Sequence, residues 1–219
     1  MKKFSFFDVD ETIIYEKSMF SILTEISKHF IYIKPDKIQE RLQKMRNAGM
    51  DRATVNGAFY KELKGLLKDD VCTISQKYIH NKIANNKKFI IKKVVSQLEL
   101  YRRENYQPVF LSGSAIDFIK PLADYLNVEH CLATHLAIND EGKYTGEIDG
   151  GSMIGEGKKN AVIKFLSSYH VDPMNCAGFG DHISDLDFLE LVGEPHVVAT
   201  NDKNLVSIAA KRNWPVIYP

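Results

Sequence analysis

Aromatic residues crowd the stretch Phe4-Ser-Phe-Phe-Asp-Val9, an apolar run too short for a helix that ends in acid. That is the pattern of a buried strand running into a site, and it predicts a strand over 4–9. Beyond it the period changes. Met19, Ile22, Leu23, Ile26 and Phe30 fall at i, i+3, i+4, i+7 and i+11, the apolar face of one helix. Pro35 suits a first helical position, and Ile38, Leu42 and Met45 continue the helical spacing. Val55, Phe59, Leu63 and Leu66 form a third stripe, and Val71, Ile74 and Tyr78 a weaker fourth. No strand pattern interrupts residues 15–84, which read as a small helical bundle.

After a further helix over about 88–105 the texture alternates. Strands are predicted at 108–112, 175–179, 196–199 and 214–217, with helices at 114–126, 157–169, 185–192 and 203–212 between them. Residues 130–148 read as a strand and hairpin turning at Asn139-Asp-Glu-Gly142. Strands alternating with helices predict an α/β fold with a doubly wound parallel, Rossmann-like sheet. The expected organisation is an α/β core from 1–14 and 85–219, with 15–84 inserted after the first strand as a helical module.

Composition narrows the class. At 219 residues, 44% apolar and a formal charge of +1, the chain is too apolar and too near neutrality for a disordered protein. The same balance argues against a dedicated nucleic-acid or membrane-surface binder, and no apolar run reaches the roughly 18 residues of a spanning helix. Met1-Lys2-Lys3 has the charge of a signal-peptide start, but the apolar run behind it meets Asp8 too soon. Three scattered cysteines, Cys72, Cys131 and Cys176, build neither a disulfide frame nor a zinc cluster. The expectation is a cytoplasmic protein with reduced thiols. Charge divides at the insertion: residues 15–84 carry 13 basic side chains against 8 acidic, and the remainder 16 against 20. A solvated bundle surface explains this most simply; a lure for anionic substrates is the sharper reading.

The chemistry begins at Asp8-Val-Asp10-Glu-Thr12. A chain with 15 Asp holds about one D-x-D pair by chance, and Asp185-Leu-Asp187 is a second. The first pair gains weight from its place, because open α/β sheets bind ligands at the carboxyl ends of their strands. Two carboxylates there can divide the work, one attacking and one shuttling protons. Ser112-Gly113-Ser114 closes the next strand, where a hydroxyl and free backbone N–H groups suit a phosphoryl oxygen. Gly155-Glu-Gly157-Lys158-Lys159 opens a helix, and lysines in a first turn oppose the helix dipole unless an anion is near. Gly178-Phe-Gly180-Asp181-His-Ile-Ser-Asp185 follows a strand with two carboxylates at i and i+4, hard oxygens of the kind Mg²⁺ takes. Together these pieces form a site for moving a phosphoryl group by way of an aspartyl phosphate.

The ordered set Asp8, Asp10, Thr12, then Leu111-Ser112-Gly113-Ser114, then Gly155-Glu-Gly-Lys158, then Asp181 and Asp185 resembles the haloacid dehalogenase superfamily. The helical insertion after the first motif makes it similar to the phosphoserine-phosphatase-like branch, and the likeness covers about two-thirds of the chain. The resemblance implies that Asp8 attacks phosphorus, and that Asp10 protonates the leaving alkoxide and then activates water. Thr12, Ser112, Gly113 and Lys158 would bind the phosphoryl group. Asp181, the Asp8 carboxylate and the Asp10 carbonyl would hold Mg²⁺, with Asp185 in support. The register places Lys158, rather than Lys159, in the site. The implied substrate is a small phosphorylated metabolite.

Substrate choice is where the chain departs from that branch. Selective phosphoserine phosphatases carry a glutamate where this chain has Lys17, with Glu16 adjacent. For the arginine that reads the substrate carboxylate, Arg46 and Arg52 are the candidates. Position 182, normally serine, is His182, read here as a polar loop residue. Four alternatives stand beside the hydrolase reading: phosphoserine phosphatase proper, a phosphotransferase to a non-water acceptor, a D-x-D glycosyltransferase, and a non-catalytic phosphate-binding module. The glycosyltransferase leaves Ser112, Lys158 and Asp181 without work, and the non-catalytic module does not explain why Asp8, Asp10 and Asp181 are all present.

Overall fold

Seven strands order as β4-β3-β2-β1-β5-β6-β7 in one sheet, seen in a computed structural model that describes residues 2–219; Met1 lies outside the described residues. They are β1 (Lys3–Phe7), β2 (Tyr106–Ala115), β3 (His130–Ile138), β4 (Tyr144–Asp149), β5 (Ala177–Gly180), β6 (Glu194–Val198) and β7 (Val216–Ile217). All neighbours are parallel except β3 and β4, the hairpin, so the sheet is mixed at one edge. The α-helices are α1 (Ser18–Ser27), α2 (Pro35–Asn47), α3 (Arg52–Tyr60), α4 (Lys68–Asn85), α5 (Lys92–Arg103), α6 (Ile116–Tyr125), α7 (Glu156–Tyr169), α8 (Leu186–Leu189) and α9 (Lys203–Arg212).

Strand alternation sorts the core into two layers. Phe4 and Phe6 of β1, with Val109 and Leu111 of β2, pack against Val162 and Leu166 of α7, Phe188 of α8 and Leu205 of α9. Phe7, Phe110 and Phe179 face the opposite side, where α5 and α6 lie. On that side the apolar cluster continues without a break into Ile22, Leu42, Phe59 and Val71 of α1–α4. The inserted helices therefore share the core of the sheet rather than enclosing one of their own.

Several boundaries differ from the sequence reading. Strand β1 stops at Phe7, because the chain beyond it turns back on itself with Ile13 and Ile14 N–H groups bonded to the Val9 carbonyl. Helix α5 begins at Lys92, not 88, since residues 89–91 are extended alongside 13–15: Ile91 N–H donates to Ile13 O and Tyr15 N–H to Phe89 O. This paired neck is where the helical segment enters and leaves. Helix α8 is only one turn, preceded by a 3₁₀ turn over Ile183–Asp185 that the predicted helix at 185–192 did not foresee.

Candidate active site

Strand β1 lies between β2 and β5, where the connections change direction across the sheet, so a crevice opens at its carboxyl end. Asp8 stands there, its N–H donating to Phe179 O at 2.9 Å, and its carboxylate is buried. Lys158, from the first turn of α7, reaches it: Nζ lies 2.5 Å from Asp8 Oδ1 and 2.6 Å from Asp185 Oδ1. The helix can begin so close against the chain before it because of Gly157, where a Cβ would stand 1.8 Å from Ser152 O. Glycine serves similarly at Gly180, where a Cβ would meet the Asp185 side chain at 2.7 Å. Asp185 in turn accepts from the Asp181 and His182 N–H groups, both at 3.2 Å, and so shapes the loop that presents Asp181.

Asp8, Asp181 and Asp185 each offer an oxygen within a 4.8 Å cluster, all three buried. Burial first, and then repulsion from Asp8 and Asp185, pushes the Asp181 carboxyl up to about 10. Burial raises Asp8 to about 6 against the pull of Lys158. Burial opposes the Lys158 charge as well, but Asp185 and Asp8 outweigh it and hold the ammonium above the ordinary lysine range. Three carboxylates against one ammonium leave the cluster short of positive charge, and a hard divalent cation fits that deficit and that donor set. Thr12 Oγ1 donates to Asp181 Oδ1 at 3.0 Å, which fixes the orientation of that carboxylate.

Asp10 is held separately. Its Oδ1 accepts from Ser18 N–H at 2.9 Å and its Oδ2 from Ser114 Oγ at 2.7 Å, and the two serine hydroxyls are 2.9 Å apart. Burial raises its pKa while these donors oppose the rise. Ser18 and Ser114 received no role from the sequence. The start of α1 and the Ser112-Gly-Ser114 turn were both legible, but contact across 96 residues was not. Ser112 is buried beside them, its Oγ accepting from Ser114 N–H, and the Gly113 carbonyl is pinned by Tyr60 and Thr134 at 3.0 and 2.8 Å.

A cavity of about 490 Å³ opens above these groups. Asp8, Asp10, Ser112, Gly113, Lys158, Asp181 and Asp185 line it, together with the cations Lys17, Arg46 and Arg52 and the apolar Met19, Phe20, Leu42 and Val55. Lys17 is paired with Glu11 at 3.1 Å. Glu16 does not line the cavity: its carboxylate accepts from Tyr78, Lys82 and Ser21. Burial opposes its charge, but those hydrogen bonds, led by Lys82, lower its pKa and hold it on the far side of α1 as a structural ion pair. His182, expected to be a plain loop residue, does line the cavity and meets Arg52 from α3. Its pKa is lowered, first by burial and then by that guanidinium.

A family model for haloacid dehalogenase-like hydrolases matches residues 5–190. The chain is 23% identical over 228 residues to an inhibition of morphological differentiation protein of Streptomyces azureus, covering 97% of this chain and 77% of that protein. It is 25% identical over 209 residues to a phosphoserine phosphatase of Saccharomyces cerevisiae, covering 95% of this chain and 62% of the relative. A solved structure from Bordetella pertussis Tohama I, of unknown function, superposes with a TM-score of 0.86 at 20% identity over 100% of this chain and 99% of that one. The chain belongs to the haloacid dehalogenase-like hydrolase family. Among the described residues no helix is long and apolar enough to cross a membrane.

Proposed function

We propose that this chain is a Mg²⁺-dependent phosphomonoester hydrolase that works through a phosphorylated Asp8, on a small metabolite whose leaving group is neutral or anionic. The carrying observation is Lys158 shared between Asp8 and Asp185 in a cavity where a further carboxylate, Asp10, is held apart by Ser18 and Ser114. Two buried carboxylates in different surroundings are what a nucleophile and a general acid need. An Asp8 oxygen attacks phosphorus as the ester P–O bond breaks, and Asp10 gives its proton to the departing alkoxide. Asp10 then takes a proton from the water that attacks phosphorus, releasing phosphate and restoring Asp8. Lys158, the Ser112 hydroxyl and the Gly113 N–H hold the transferring oxygens. The residues suited to Mg²⁺ are Asp8, Asp181 and the Asp10 carbonyl, with Asp185 beside them; when bound, the ion neutralises phosphoryl charge.

The substrate reading rests on the cations of the cavity beyond Lys158. Lys17, Arg46 and Arg52 line it, and Glu11, which also lines it, is paired with Lys17. An ammonium-bearing leaving group, as in phosphoserine, meets like charge there. Helices α1–α4 act in this reading as a cap over the site, joined to the core through the paired neck.

Release of p-nitrophenol from p-nitrophenyl phosphate tests the chemistry. Turnover should require Mg²⁺, stop on chelation, and fall about a thousandfold or more in folded Asp8→Asn. Near wild-type turnover in that variant would show that Asp8 is not the nucleophile. A phosphoserine specificity constant well above those of phosphoglycolate and glycerol phosphate would overturn the substrate reading.

A further inference from the structure

His182 and Arg52 meet across the mouth of the cavity from opposite sides, one on the loop after β5 and the other in the first turn of α3. Arg52 Nη1 lies 2.5 Å from His182 Nδ1 and 3.0 Å from Ser184 Oγ. Ser184 N–H also donates to that same Nδ1, at 3.0 Å. Two N–H donors converging on Nδ1 require a lone pair there, so the ring proton sits on Nε2, 3.9 Å from Asp202 Oδ2. Asp202 also accepts from Ile183 N–H at 2.7 Å and caps α9, which anchors the His182 loop to a rigid element.

The partners of Arg52 are all neutral. Among the described residues no carboxylate pairs with it or with Arg46, whose guanidinium there bonds only Gln43. Two guanidiniums that line the cavity and make no ion pair among the described residues are matched by an anionic group on a ligand. A guanidinium has five N–H donors, and His182 with Ser184 engages one nitrogen from behind, leaving the rest of the fork free.

We propose that His182 is a positioning residue for substrate choice: it holds Arg52 over the cavity mouth to receive a second anionic group, a carboxylate or a second phosphate, on the leaving group. The inference rests on the phosphomonoesterase reading; an arginine for a substrate carboxylate is already what the family resemblance implies, and what is added is the residue that positions it. Serine at position 182 is too short to make this contact, because its Oγ stops one bond short of where Nδ1 stands. Asparagine is the close mimic, since its Oδ1 occupies nearly the place of Nδ1; glutamine puts its oxygen one bond further out.

The test uses binding, which needs no turnover. Calorimetry of the Mg²⁺-loaded enzyme would compare carboxylate-tailed phosphonates (phosphonoacetate, 3-phosphonopropionate, 4-phosphonobutyrate) with alkylphosphonates of the same length, and with propane-1,3-bisphosphonate. The wild type should bind at least one anion-tailed ligand about tenfold or more tightly than its alkyl counterpart, and the carboxylate and bisphosphonate arms identify the anion. His182→Ala should remove that preference while changing alkylphosphonate binding less than about twofold. His182→Asn should restore most of it and His182→Gln should not. In combination with Arg52→Ala, His182→Ala should add nothing further. The inference is overturned if no anion-tailed ligand is preferred, if His182→Ala weakens every phosphonate alike, or if the two substitutions are additive. Hydrolysis of p-nitrophenyl phosphate by the wild type reports separately on the phosphatase reading, so its failure is distinguishable from failure here.

Discussion

Lys158 and Lys159 are neighbours in sequence and opposites in setting. Lys158 is 4% exposed and spans two carboxylates, whereas Lys159 is only half-buried and has no ion pair with them. Successive helical residues point about 100° apart, so one site can take only one of them. Lys158→Ala should therefore abolish kcat/KM while Lys159→Ala leaves most of it. The same substitution leaves Asp8, Asp181 and Asp185 facing one another without a cation. Breaking a buried pair of this kind costs about 3–5 kcal/mol, so the metal-free Lys158→Ala protein should melt well below the wild type and recover on addition of Mg²⁺. A larger loss of activity at Lys159 would reverse the assignment. Glu16 and Lys17 divide in the same way. Adjacent in sequence, one is locked behind α1 by Lys82 and Tyr78 and the other lines the cavity.

At the scale of elements, the site depends on how closely α7 starts against the chain before it. A side chain at position 157 would drive a Cβ to 1.8 Å from the Ser152 carbonyl, a contact with backbone that no rotamer relieves. Gly157→Ala should cost about 2 kcal/mol or more, seen as a lowered denaturation midpoint, and should displace Lys158 and weaken activity together. An Ala variant with unchanged midpoint and turnover would show that α7 can shift without moving the lysine. The paired neck works at this scale too. Its hydrogen bonds join residues 13–15 to 89–91, and the sequence marked neither stretch as extended because each is only about three residues long.

For the whole molecule, acid sensitivity is set partly by buried groups around β6 that do not line the cavity. The His196 ring stacks on Phe179 at 4.4 Å, and its Nε2 lies 2.8 Å from the Tyr101 hydroxyl, which also bonds Glu194. Burial lowers the His196 pKa below 6.5, with Glu194 opposing. Between that lowered value and 6.5 the unfolded chain binds more protons than the folded one, so stability falls as pH drops through 6.5. His182 contributes to the same slope. The Glu194 carboxylate has the opposite kind of group but the same consequence: burial opposes its charge, yet bonds from Tyr106 and Tyr101 lower its pKa, and its stabilisation is lost as pH falls below 4.5. Between pH 7.5 and 5 the raised carboxyls of Asp8 and Asp181 act the other way, binding more protons folded than unfolded. The His196 contribution is therefore read as a difference: His196→Phe, which keeps the ring in its slot, should lose less of its denaturant midpoint over that range than the wild type loses. An unchanged slope would mean that His196 charges as readily in the folded state as in the unfolded one.

The sequence by itself determined the architecture and most of the polar residues that gather in the cavity. Hydrophobic periods distinguished helix from strand, since side chains on each must alternate at the repeat that faces the core. Asp8, Ser112, Lys158 and Asp181 were legible because ligands gather at strand ends, and strand ends are local features. Only the tertiary structure decided that the inserted helices share one apolar core with the sheet, that Ser18 and Ser114 hold Asp10, that Glu16 is tied to Lys82, and that His182 meets Arg52. Each of these joins residues through space. The His182–Arg52 contact spans 130 positions of chain, and neither residue carries a periodic or spacing signal that names its partner. A local pattern records which face of its own element a residue occupies, and the packing of elements then sets what that face meets.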